Sequence, residues 1–264
     1  MLPRADILAW RANHAPWADD DDVEQDLVIT RALVDIFSDE FLRDRLAFRG
    51  GTALHKLYLA PAARYSEDID LVQRLPEPIG PTLDRLRRSL AWLDRGRSET
   101  REHPTLTFRF TTEVGGQRRR LKIEINSREH FGNVVDVRFA VTSRPLTADV
   151  RIATYSIDEL LATKLRALDQ RRKGRDLFDL WRAHECVPIS PADVVRMFRI
   201  YMSEAGFAIP SRAEFERNLA DKQRTGAFEE VRPLIRTDVA YDPTAALAWF
   251  RATFLPLMDG TGDA

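Results

Sequence analysis

The sequence predicts an α+β fold: a strand-and-helix region over residues 1–150, followed by a mostly helical region over 151–264. Three observations predict it. Residues 3–72 alternate helical and strand patterns around a glycine pair. A hairpin and a further strand then follow without intervening helices, which a repeating βαβ chain would not do. Past residue 155 every apolar pattern has helical period.

Residues 3–46 space Val23, Leu27, Leu33, Val34, Ile36, Phe37 and Leu42 as a helical stripe. Leu46–Arg49 reads as a short strand running into Gly50-Gly51. A short helix pattern (Ala53, Leu54, Leu57, Tyr58) follows and stops at Pro61. Ser66–Val72 alternates as a strand, with Ser66, Asp68 and Asp70 on one face and Ile69 and Leu71 on the other. Pro76–Pro81 is a linker, and Thr82–Asp94 an amphipathic helix through Leu83, Leu86, Leu90 and Leu93. Thr105–Thr111 and Arg119–Asn126 form a hairpin around Val114-Gly-Gly-Gln, with Leu106, Phe108 and Phe110 inward. Val134–Thr142 is a further strand.

A capping box at Ser156 and Glu159 opens the helical region, with Ile157, Leu160, Leu161, Leu165 and Leu168 as its stripe. Gly174 breaks a basic loop before a helix marked by Leu177, Leu180 and Trp181. Residues 191–205, 211–221 and 243–256 give three more helices, ending in a polar tail, Asp259–Ala264.

The 264 residues suffice to bury a sizeable core, as one large domain or two small ones. Hydrophobic content of 44% and charged content of 31% are those of an ordinary globular chain. No apolar run approaches the roughly 20 residues of a membrane span. The N-terminus lacks the order of a signal peptide, so a cytoplasmic protein is expected. The single cysteine, Cys186, excludes an internal disulfide and a thiolate metal cluster, and reads as a buried filler.

A net charge of −1 supplies no global field for nucleic acid, but the charge is unevenly placed. Asp19–Asp22 is acidic, and Arg118–Arg120 and Arg171–Lys173 are basic. Each cluster is a solvated face or, for the basic pair, a local phosphate contact. Arginine outnumbers lysine 35 to 5, so lysines within motifs (Lys56, Lys122, Lys164) are informative. An ammonium is a point charge that a planar guanidinium does not replace.

The candidate chemistry lies around Gly50–Asp70. Asp68 and Asp70 at i and i+2 put two carboxylates side by side, a donor set that suits Mg²⁺ bridging to phosphate oxygens. Gly50-Gly51-Thr52 at a strand-to-helix junction offers backbone N–H groups to an anion. On the hairpin's second strand Lys122, Glu124 and Asn126 share a face opposite Leu121, Ile123 and Ile125. Glu124 is thus a candidate third carboxylate, either as general base or as part of a two-metal site. Lys164 sits on the apolar stripe of its helix, where it either snorkels or meets a triphosphate. Arg172 with Asp176 and Arg175 with Asp179 have i,i+4 spacing. His55, His130 and His184 show no catalytic or metal-ligand spacing, and His55 reads as a surface or cap residue.

Together, Gly-Gly-Thr-x3-Lys, Arg64-x-Ser-x-Asp-Ile-Asp-Leu71, Lys122-Ile-Glu-Ile-Asn126, Ala162-Thr-Lys-Leu-x-Ala-Leu168 and Arg175-Asp-Leu-x-Asp-Leu180 resemble the AbiEii/AbiGii toxin family, which includes the MenT toxins, within the DNA polymerase β-type nucleotidyltransferases. The resemblance covers residues 46–181. It implies a mixed sheet with flanking helices, then a helical C-terminal domain. It also implies transfer of a nucleoside monophosphate from a nucleoside triphosphate, dependent on Mg²⁺ or Mn²⁺, with release of pyrophosphate. In the MenT branch the acceptor is the 3′ end of tRNA, which stops translation and growth until an antitoxin encoded nearby acts.

By the same resemblance Gly50, Gly51, Thr52, Lys56, Arg64, Ser66 and Lys164 would bind nucleotide, and Asp68, Asp70 and Glu124 the metal. Asp176 would be a further essential acid, with Asp179 as the other candidate for that place. The superfamily's Gly-Ser is here Gly50-Gly51, so Thr52 would stand in for the serine hydroxyl. Three other readings remain: transfer to an antibiotic-like small molecule, transfer to a protein, and a non-catalytic RNA- or partner-binding module.

Overall fold

The computed structural model describes residues 3–100 and 103–259, with the backbone alone for residues 95–100. The chain divides into two compact units, residues 1–155 and 156–264.

The first unit begins with helices α1 (Arg4–Asn13), α2 (Asp20–Ser38) and α3 (Glu40–Arg45). The acidic run that starts α2 is engaged by partners within the protein, although Asp19 itself is exposed. Asp19 caps the helix by accepting from Asp21 N at 2.7 Å, which answers one of the orphan N–H groups of the first turn. Asp20 pairs with Arg11 at 2.5 Å and Asp22 with Arg119 at 3.0 Å. One turn in, Glu24 accepts the Glu113 N–H of the hairpin turn at 2.8 Å and 3.0 Å.

Strands β1 (Leu46–Arg49) and β2 (Asp68–Gln73) flank helix α4 (Gly50–Leu57), and α5 (Gly80–Ser89) follows. Five strands then run in succession: β3 (Asp94–Thr100), β4 (Pro104–Thr111), β5 (Arg118–Asn126), β6 (Val134–Ser143) and β7 (Leu146–Tyr155). Two of these, β3 and β7, are not among the strands expected above. The sheet is mixed and seven-stranded, in the order β3-β4-β5-β2-β1-β7-β6. Parallel pairing joins β2 to β5 and β1 to β7, and the other pairs are antiparallel.

Alternation decides the two faces of the sheet's centre. Ile69, Leu71, Leu106, Phe108, Leu121, Ile123 and Ile125 all lie on one face and are wholly buried. They form one core with Ile29, Leu33, Ile36 and Phe37 of α2 and Leu86 of α5. Burying each such side chain is worth about 1.5–3 kcal/mol, and this core fixes which way the polar residues between them point.

The second unit is helical: α6 (Ile157–Gln170), α7 (Gly174–Cys186), α8 (Pro191–Glu204), α9 (Arg212–Arg224), α10 (Pro243–Thr253) and the single turn α11 (Leu255–Met258). At the start of α6 only half of the expected capping box forms. Ser156 accepts from Glu159 N, while the Glu159 carboxylate accepts from Tyr201 Oη at 2.9 Å instead. Stacked Phe215, Phe250 and Phe254 lie at the centre of this unit. Cys186 is exposed, not a buried filler, because it falls at the last turn of α7. The polar tail beyond Asp259 lies outside the described residues. No described helix is long and apolar enough to cross a membrane.

Candidate active site

The first unit sets the glycine loop and the three candidate carboxylates on adjoining strands by backbone pairing alone. Arg49, the last residue of β1, opposes Asp70 in register, and the chain turns at once into α4. Gly50 has φ of +84°, and a Cβ built on it would stand 2.8 Å from Asp70 Cγ and 2.9 Å from Asp70 Cβ. Only glycine satisfies both the left-handed backbone and the approach. On the other side of β2, the parallel register sets Asp68 opposite Lys122 and Asp70 opposite Glu124. Asp68, Asp70, Lys122 and Glu124 therefore share the face opposite the apolar core.

Several contacts hold this frame. Thr52 Oγ1 donates to the Asp68 carbonyl at 2.6 Å, so the Ser66 hydroxyl, 2.8 Å away, donates to Thr52. Both motif hydroxyls thus tie the start of α4 to the entry of β2. What the loop keeps for an anion is its N–H groups. From α2, Gln25 Nε2 donates to the carbonyls of Glu67 at 3.3 Å and Arg120 at 3.1 Å, bridging β2 and β5 just before Asp68 and Lys122.

The electrostatics centre on the Asp68 carboxyl. Burial, and then the charges of Asp70 and Glu67, push the Asp68 carboxyl up to about 6, against the pull of Lys122 and Arg120. Glu124 meets Lys122 Nζ at 2.6 Å. That contact, with Asp68 and Asp70 nearby, raises the Lys122 ammonium above its ordinary value. Among the described residues no three carboxylate, imidazole or thiol groups stand ready-made round one point. The donors therefore fit a hard cation held by the Asp68–Asp70 pair and completed by phosphate oxygens. Glu124 stands one strand away in register.

Two other expected residues lie elsewhere in this unit. Lys56 Nζ is held by Asp26 at 2.7 Å and Thr30 at 2.9 Å, and Asp26 also accepts from Trp10 Nε1 at 2.9 Å. Lys56 lines a separate cavity of about 460 Å³ with Trp10, His14 and Phe139, a set that contains neither aspartate of the pair. Arg64 is 2% exposed and donates to the Tyr65 carbonyl at 3.0 Å. His55 is buried as well, not at the surface, because α4 turns that side inward.

In the second unit, the Lys164 ammonium is buried between two carboxylates, at 2.8 Å from Asp179 and 3.4 Å from Asp176. Asp176 is wholly buried and also takes a two-pronged contact from Arg171 at 2.7 Å. Its carboxyl is held below the usual range: burial acts to raise it, and Lys164 and Arg171 together outweigh that. The expected i,i+4 pairs do not form. Arg172 instead pairs with Asp221, and Lys173 lies 3.7 Å from Glu230, so the basic cluster of this loop is engaged within the protein. Asp176 takes Arg171 in place of Arg172 because the loop folds Arg171 back across the start of α7.

The model of the nucleotidyl transferase AbiEii toxin family, of type IV toxin–antitoxin systems, matches residues 31–249. The chain belongs to the AbiEii family. It is a nucleotidyltransferase toxin of a toxin–antitoxin system, with a nucleoside triphosphate as substrate and an antitoxin as its counterpart. Among curated proteins none matches it. Its fold resembles MenT4, a nucleotidyltransferase toxin from Mycobacterium tuberculosis, with a TM-score of 0.61, 17% identity and 98% of each chain covered. JHP933 from Helicobacter pylori matches with a TM-score of 0.55 and 16% identity over 91% of this AbiEii chain and 93% of that one. A putative nucleotidyltransferase from H. pylori gives 0.51 and 16% over 91% and 96%.

Proposed function

We propose that this AbiEii toxin transfers a nucleoside monophosphate to a hydroxyl of an RNA acceptor, with the 3′ end of tRNA as the target, and so stops translation and growth. The observation that carries this reading is the register Arg49–Asp70–Glu124, which sets a glycine loop, a carboxylate pair and a third acid side by side.

In this reading the N–H groups from Gly50 to Thr52 bind the triphosphate tail at the start of α4. Asp68 and Asp70 would hold Mg²⁺, which supplies charge neutralisation at the phosphoryl group when bound. Glu124 accepts the proton of the acceptor hydroxyl. The hydroxyl oxygen then bonds to the α-phosphorus, the bond to the β-phosphate bridge breaks, and pyrophosphate leaves with that electron pair. Ser66 and Thr52 position β2. Lys164 contacts the nucleotide, and Asp176 acts as a positioning residue through Lys164 and Arg171. The reading places the protein in the cytoplasm, with its antitoxin and its RNA.

Expression in a bacterial host tests the consequence. Growth should stop, and Asp70→Ala should remove the arrest. A translation extract stalled by the protein should recover on addition of fresh tRNA; recovery with ribosomes instead would reject the target.

A further inference from the structure

We infer that the open face of the β4–β5 hairpin is the track for the acceptor strand, with Arg109, Arg118 and Arg120 gripping the phosphates of single-stranded RNA upstream of its 3′ end. This rests on the proposed function and names a part of the site that the motifs do not include.

The basic triplet Arg118–Arg120 splits by strand alternation. Arg119 falls on the core side and pairs with Asp22, while Arg118 and Arg120 fall on the open side and are exposed. Register then adds a third cation. Arg120 lies directly opposite Arg109, itself exposed, and Arg118 lies opposite Thr111. None of the three arginines forms an ion pair with a carboxylate among the described residues, in a chain where Arg11, Arg45, Arg119, Arg138 and Arg251 all do.

The rows lead into the site. Moving along β5 from the hairpin tip, they are Thr111/Arg118, Arg109/Arg120, Thr107/Lys122 and Thr105/Glu124, and the last two abut Asp68 and Asp70. Successive rows are about 6.8 Å apart, two strand residues. The first arginine row therefore begins about 14 Å from the row of Asp68, which suits an extended strand of two or three nucleotides. Arginine and threonine are among the side chains that contact nucleic-acid phosphates. The charge of Arg120 is already felt at Asp68.

Strand order decides between donor and acceptor. The glycine loop leaves β1, on one side of β2, and the arginine rows sit on β5 and β4, on the other. Phosphoryl transfer needs the attacking and leaving oxygens roughly in line. With the triphosphate on the β1 side, the incoming hydroxyl arrives from the β5 side. The arginines therefore serve the acceptor and not the triphosphate.

The test uses the full chain and a single-stranded RNA oligonucleotide with a free 3′-hydroxyl, titrated by fluorescence anisotropy at several salt concentrations. Replacing Arg109, Arg118 and Arg120 together by alanine should weaken binding at least tenfold. The slope of log K against log salt should fall by about 2, at roughly 0.7 for each phosphate that an arginine neutralises. The corresponding triple lysine variant should recover most of both. In the transfer assay the alanine variant should raise the KM for RNA and leave the KM for nucleoside triphosphate unchanged. Unchanged RNA affinity and slope would overturn the inference, as would a raised KM for the triphosphate. Arginine-dependent binding of poly-L-glutamate with no binding of RNA would assign the strip to an acidic protein and also overturn it. If the wild type binds RNA through these arginines yet transfers no nucleotide, the strip stands and the proposed function falls.

Discussion

Gly50 stands against the carboxylate of Asp70 with no room for a side chain, at a backbone angle that L-residues avoid. One residue thus brings the glycine loop against Asp70. Gly50→Ala should lower nucleotide transfer at least a hundredfold, since either Asp70 or the loop must move. The backbone strain alone costs about 1–2 kcal/mol. Melting temperature and transfer rate measured together check this. A rate within threefold of wild type would show that the close approach does not set the geometry.

Asp68 is a charge the fold by itself tolerates poorly. Its carboxyl is raised to about 6 by burial and by neighbouring acids. A raised carboxyl binds protons more readily folded than unfolded, so its contribution to stability falls as pH rises towards 6. Asp68→Asn should therefore melt higher than the wild type at pH 7 without metal, while abolishing transfer. Mg²⁺ should raise the melting temperature of the wild type and leave that of the variant unchanged. A variant that melts lower, or still responds to Mg²⁺, would contradict this.

Lys56 is expected to act on stability and not on nucleotide affinity, because Asp26 and Thr30 hold its ammonium. Lys56→Met leaves Asp26 as a buried uncompensated charge, at a cost of about 3 kcal/mol. Lys56→Met with Asp26→Asn should recover much of that. Urea titration gives the stability, and the KM for triphosphate should stay within twofold throughout.

Lys164 requires the same separation of effects. Lys164→Ala leaves Asp176 and Asp179, both wholly buried, short of their cation, so its inactivity alone would say little about nucleotide contact. Lys164→Met with Asp179→Asn should restore the fold. If that variant folds normally and still transfers less than a hundredth as fast, while Asp179→Asn alone stays within tenfold of wild type, Lys164 touches the nucleotide; full activity of the double variant would remove it from the site.

Lys222 offers a pH readout within the second unit. Burial lowers its ammonium to about 8, and it donates to the carbonyls of Leu168 and Asp169 at the end of α6. The unfolded chain binds more protons between about 8 and the ordinary lysine value, so stability should rise with pH across that window. Lys222→Met should abolish that part of the dependence in melting curves taken from pH 7.5 to 10.

How much of this was legible in the sequence follows from where alternation survives. β2, β4 and β5 carry apolar residues at every second position because one face packs on α2 and α5, and the sequence shows them. β7 does alternate, with Leu146, Ala148, Val150 and Ile152 against Thr147, Asp149 and Arg151, but Ile152–Tyr155 is buried at every position, so the alternation ends before the strand does. β3 is polar and contains a glycine, and only its backbone pairing with β4 reveals it. The glycine junction and the shared face of Asp68 and Asp70 were legible because both follow from local backbone geometry. The partners of Lys56 and Lys164 were not: Asp26 lies thirty residues before Lys56, and the two aspartates around Lys164 depend on how a loop folds back.

The most direct test of the central claim is incubation of the protein with Mg²⁺, an α-phosphate-labelled nucleoside triphosphate and total RNA. The account predicts label on the 3′ end of tRNA-sized RNA with release of unlabelled pyrophosphate, and no label with Asp68→Ala. No label from the wild type, or equal label from Asp68→Ala, would contradict it.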